Sequence, residues 1–104
     1  MANYVFIYHG GKQPDTPEEG TKMMEEWQKW LDGLAEAVVD AGQPMGMSKT
    51  VMSDGSVVDD GGSNPASGFS IFEADDMNGA LKMAQSCPFL DMEGTIEVAE
   101  TFEM

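Results

Sequence analysis

Between Pro17 and Ala41 apolar residues recur at steps of three and four: Met23 and Met24, Trp27, Trp30 and Leu31, Leu34, Ala37 and Val38, then Ala41. Such a stripe forms one face of an amphipathic helix, and it obliges the chain to build an apolar surface for that face to lie on. The start is well marked. Asp15 or Thr16 can cap the helix, Pro17 suits its first position, and Thr16 with Glu19 matches a capping box. At the far end Gly42 offers a left-handed exit and Pro44 forbids continuation. The spacing therefore predicts a helix over 17–41.

The segments around this helix read as strands. Residues 3–9 form an apolar and aromatic run, Tyr4-Val5-Phe6-Ile7-Tyr8, ended by Gly10-Gly11, and its lack of alternation implies burial on both faces. Residues 45–53 (MGMSKTVMS) read as a second strand, followed by a loop with a hairpin signal at Asp54-Gly55, between Met52-Ser53 and Ser56–Val58. Residues 68–74 (GFSIFEA) make a third strand. A second helix follows over 75–87, capped by Asp75 or Asp76, with Met77, Ala80, Leu81 and Ala84 inward and Pro88 behind it. Residues 95–104 alternate cleanly, with Ile96 and Val98 on one side and Thr95, Glu97 and Ala99 on the other. The order β-α-β-β-α-β predicts one α+β domain over 1–104. Its fold is ferredoxin-like βαββαβ, a four-stranded antiparallel sheet with two helices on one face.

Two helices cover only one face of that sheet. With Val5, Ile7 and His9 placed toward the helices, Tyr4, Phe6, Tyr8 and Phe72 would form a large apolar patch on the other face. A monomer rarely tolerates such a patch. The economical cover is a second copy, sheet against sheet about a two-fold axis, so a homodimer through the sheet face is expected.

Charge removes whole classes of partner. The chain carries 19 acidic residues against five lysines and no arginine, a net charge of −14. Nucleic acid and anionic membrane surfaces would be repelled, so neither is expected as a partner. No bidentate guanidinium clamp on phosphate or carboxylate is available. A single cysteine, Cys87, excludes an internal disulfide and favours a reducing compartment, and the N-terminus reads as a strand and not as a leader. A cytoplasmic protein is expected.

Three stretches together, VVDAGQPMGMSKTV, GGSNPASGFSIFEADDMNGALKMAQSCP and the closing GTIEVAE, resemble the YCII-related family of DGPF-type proteins, and the resemblance spans nearly the whole chain. It implies a ferredoxin-like protomer that pairs into a dimeric α/β barrel. It also implies a small enzyme whose activity is largely unassigned, with a histidine–aspartate pair in some members. The nearest match to the DGPF signature is Asp54-Gly55-Ser56-Val57, and Phe89 stands where similar sequences often carry a histidine after Cys-Pro.

Among individual residues His9, the only histidine, stands at a strand end where an imidazole could act as acid or base. Glu97 on the fourth strand could serve as a base if enclosed in a barrel, and on an open edge it would simply be solvated. These two are the catalytic candidates. Tyr8, Ser48, Lys49 and Ser70 are the ligand-binding candidates, with Ser70 pointing the same way as Glu97. Asp59-Asp60 and Asp75-Asp76 lack calcium-loop spacing, and no nucleotide, hydrolase or zinc-protease motif occurs. No metal and no cofactor is expected. Two functions remain. One is binding or converting a small organic molecule in a cavity between the sheets of a homodimer; the other is a non-catalytic dimeric partner-binding or regulatory module.

Overall fold

The computed structural model describes residues 2–102. The closing strand read to Met104 therefore runs at its end outside the described residues. The elements in chain order are β1 (Ala2–Gly10), α1 (Pro17–Leu34), β2 (Val38–Asp40), β3 (Thr50–Val51), β4 (Val57–Val58), β5 (Ala66–Ala74), α2 (Met77–Gln85) and β6 (Gly94–Glu100). Short 3₁₀ turns occupy Ala35–Ala37 and Pro88–Met92. The main sheet has the order β2-β5-β1-β6 with every pair antiparallel, which is the expected ferredoxin-like arrangement.

Both helix starts follow from their caps. The Thr16 side chain accepts from the Glu19 backbone N–H at 3.1 Å and Pro17 takes the first position; at α2 the Asp76 carboxylate accepts from Gly79 at 2.8 Å. The end of α1 differs from expectation. The helix stops at Leu34, and Ala35 turns the chain at φ 49°. Val38 and Asp40 then pair with Phe72 and Ile71 of β5. The apolar spacing at Ala37, Val38 and Ala41 fits a helix, but Val38-Val39 is β-branched and β5 needs a partner on that edge. The second strand of the sheet is thus 38–40 and not 45–53. The latter belongs to an excursion ending in a small hairpin, in which Thr50 pairs with Val58 and Val51 with Val57. Its turn lies at Asp54-Gly55, as expected, with Asp54 accepting from the Ser56 N–H and hydroxyl.

The facing of β1 is the reverse of the expected one. Tyr4, Phe6 and Tyr8 are buried under the helices, as is Phe72, while Val5 and Ile7 are half-buried on the uncovered face beside Phe69 and Ile71. Phe6 and Phe72 meet at 4.6 Å between ring centroids, and Trp30 lies 5.2 Å from Phe72. Both residue sets are apolar, so alternation alone cannot choose between them. Size does, because the gap between a sheet and helices is about 10 Å and aromatic rings fill it better than Val and Ile. Trp30 also joins the helices, its indole N–H donating to the Met83 carbonyl at 3.2 Å and the Ser86 hydroxyl at 3.1 Å. No helix among the described residues is long and apolar enough to cross a membrane.

Candidate functional site

β1 alternates into the core as far as Tyr8, and the next residue therefore projects from the opposite, uncovered face. That residue is His9. Tyr8 pairs with Gly68 but His9 with Ala66, so β5 carries one extra residue, Ser67, in a bulge. The Ser67 hydroxyl donates to the Tyr8 carbonyl at 3.0 Å and holds the bulge shut. On the other side His9 pairs with Thr95, and Glu97 stands opposite Ile7, diagonal to His9 on the same face. His9 was expected toward the helices; its place on the uncovered face follows from the reversed facing of β1.

His9 has only 10% of its side chain exposed. Its Nε2 lies 3.0 Å from Glu97 Oε1 and its Nδ1 lies 3.3 Å from the Pro65 carbonyl oxygen. A carbonyl oxygen can only accept, and so can an ionised carboxylate. Both ring nitrogens are therefore satisfied when both donate, which is the imidazolium form. The His9 pKa is accordingly raised above its ordinary 6.5, chiefly by the hydrogen bond to Glu97. Desolvation opposes this, and the carbonyls of Pro65 and Asn64 support it. A group that binds its proton more tightly when folded stabilises the fold fully below its unfolded pKa; that contribution fades as pH rises through the raised folded value. Glu97→Gln should move the His9 titration to lower pH and remove this pH-dependent stabilisation. The Cε1 proton of the only histidine reports it in an NMR titration without overlap, and an unchanged midpoint would deny Glu97 any hold on the imidazole.

Glu97 is 60% exposed on the edge strand β6, so the pair is sheltered at the histidine and open at the carboxylate. Chemically this is an oriented imidazole beside a carboxylate that a small molecule on the uncovered face can reach. Such a pair can hold and pass a proton.

The other candidates are not gathered here. Ser70 was expected beside Glu97; instead it lies fully buried under the helices, opposite Phe6. There it accepts from the Tyr8 hydroxyl at 2.9 Å and donates to the Ala41 carbonyl at 2.8 Å, tying β1, β5 and the segment after β2. Burial raises the Tyr8 pKa far above its ordinary value, so the hydroxyl stays neutral as a structural donor. Ser48 and Lys49 lie exposed in the excursion, not on a strand of the main sheet, and Lys49 pairs with Asp59 at 3.2 Å. Between side chains this exposed, such a pair contributes about 0–1 kcal/mol. Cys87 is buried, and burial pushes its thiol up to about 12, which keeps it unreactive. Sequence reasoning missed the Pro65 carbonyl. Its only signal is the Asn64-Pro65 pair just before β5, because a proline restricts the backbone of the residue ahead of it.

The model of the YCII-related domain matches residues 3–104. No curated protein matches the chain. Among solved structures the chain is similar to the 5-chloro-2-hydroxyhydroquinone dehydrochlorinase of Burkholderia phenoliruptrix in complex with 2,5-dihydroxybenzoquinone. The likeness has a TM-score of 0.57 at 15% identity and covers 96% of this chain and 95% of that one. At that identity the likeness is one of fold.

Proposed function

The chain belongs to the YCII-related family, and we propose that it binds and converts a small organic molecule by proton transfer at His9 and Glu97. In this reading two copies pair through their uncovered sheet faces and close a cavity over the two side chains. The observation that carries it is the single histidine, sheltered and fixed at both ring nitrogens, beside an accessible carboxylate. Val5, Ile7, Phe69, Ile71 and Ala99 lie half-buried on the same face, an apolar surface that a second copy would cover. The dehydrochlorinase named for the similar fold acts on a small ring compound, which agrees with this class of substrate. With a net charge of −14 the protein favours neutral over anionic molecules. A single buried thiol suits the reducing cytoplasm.

The test is a thermal-shift screen of small neutral ring and carbonyl compounds on the wild type, His9→Ala and Glu97→Gln, with light scattering for the oligomeric state. We expect a dimer at micromolar concentration, and compounds that raise the melting temperature of the wild type but of neither variant. A monomer would overturn the closed cavity. Compounds that stabilise all three proteins equally would remove His9 and Glu97 from the site, and a screen without hits would favour the non-catalytic dimeric module.

A further inference from the structure

On the helix side of the sheet, away from His9, a cleft of about 680 Å³ opens between the first turns of α1 and the segment that follows β2. We propose that it is a second binding site, for a neutral, apolar, ring-bearing organic molecule. The inference goes beyond the reading of the His9–Glu97 pair and does not depend on it.

The cleft originates in two glycines. The apolar stripe of α1 runs through Gly20, Met24, Trp27, Leu31 and Leu34, and at its first position the side chain is missing. Across from it Gly68, paired with Tyr8, leaves a second gap in the helix-facing row of β5, next to the buried Ser70. The stripe is consequently covered only at its far end. Trp30 is buried, Trp27 is half-buried, and Met24 is 75% exposed. A fully formed core would have closed this space with side chains, and here the apolar wall stands open.

The chemistry of the wall selects the occupant. The chain has 24 charged side chains among 104 residues (19 acidic and 5 basic), yet none of the described residues lining the cleft is charged. Tyr8, Trp27 and Phe89 form an aromatic wall, with Tyr8 at 5.2 Å from each of the other two ring centroids in edge-to-face geometry. Met23, Met24 and Met92 add adaptable, polarisable surface. The hydroxyls in the lining are already committed. Thr21 donates to the Pro17 carbonyl at 3.1 Å, Ser67 to the Tyr8 carbonyl, and Tyr8 to Ser70. Recognition therefore rests on ring packing and dispersion, and the chain's net charge of −14 disfavours anions. The volume is that of an ordinary small-molecule site, about 300–1,000 Å³. Pairing through the opposite sheet face would leave this side open.

The test uses two fluorescent probes with the same ring system, neutral N-phenyl-1-naphthylamine and its sulfonated relative 1-anilinonaphthalene-8-sulfonate. We expect saturable binding of the neutral probe at one per protomer, and weaker binding of the sulfonated one by about tenfold or more. Gly20→Leu should weaken the neutral probe by about tenfold or more while melting no lower than the wild type, because leucine is the better helix former. A side chain beginning at position 20 meets only Pro14, at an ordinary 3.5 Å. His9→Ala should bind the probe as the wild type does. The proposal is overturned by absence of saturable binding, by a sulfonated probe that binds as tightly, or by Gly20→Leu binding unchanged. It is also overturned if a second copy, and not a small molecule, is found to fill the cleft.

Discussion

Phe72→Ala should cost about 3–5 kcal/mol and leave much of the protein unfolded at 37 °C. The ring is fully buried at the centre of the sheet, against Phe6 at 4.6 Å and Trp30 at 5.2 Å, so its loss leaves a cavity bordered by both central strands and α1. A small domain has only about 5–15 kcal/mol of stability in total, so this one truncation removes a large share. Urea denaturation should show the midpoint falling sharply at an unchanged slope. The neighbouring Ile71 supplies the contrast, because it points to the uncovered face and is half-buried. Ile71→Ala should cost the fold far less, and in the proposed pairing through the uncovered face it should weaken the association of two copies instead. If the two substitutions were equally damaging to the fold, the facing of the central strands described above would be wrong.

Gly42→Ala should be the next most damaging change, at about 2–5 kcal/mol, combining the left-handed backbone penalty with overpacking. Gly42 has φ 79°, and a Cβ there would run into the backbone carbonyl of Phe69. The clash is with backbone on a central strand, so no side chain can move aside to relieve it. The segment would have to lift from β5, breaking the Gly42 N–H bond to Asp40 at 2.8 Å and the Ser70 bond to Ala41 at 2.8 Å. Gln43 and Pro44 wall the apolar cleft beside it, so binding of the neutral probe should fall as well. Thermal melting of the variant reads the first effect and the probe titration reads the second; a variant that melts with the wild type would show that the contact is not tight.

Much of the fold was legible because its signals are local. Thr16, Pro17 and Asp76 mark helix starts by chemistry that acts over three or four residues, and Asp54-Gly55 marks its turn in the same way. The end of α1 was not legible. Ala37, Val38 and Ala41 satisfy the helical spacing, and only the unpaired edge of β5 draws Val38–Asp40 into the sheet. Placing the second strand at 45–53 followed from that error and carried Ser48 and Lys49 onto a strand they do not occupy. The candidate pair was legible in part. His9 and Glu97 were each singled out, but they lie 88 positions apart, and nothing local to either names the other as its partner.

The sequence by itself determined the order of elements, the caps, the net charge of −14, and the family to which the pattern belongs. All of these depend on residue type and short spacing. Only the tertiary structure decided which face of β1 is buried. Tyr4, Phe6 and Tyr8 alternate with Val5 and Ile7, so either set could serve as core by hydrophobicity. Packing against α1 and α2 selected the rings because they fill the space between layers. That choice put His9 on the uncovered face with Glu97 and turned Tyr8 and Ser70 inward, and it left the glycines at 20 and 68 to open a cleft that no short stretch of the chain encodes.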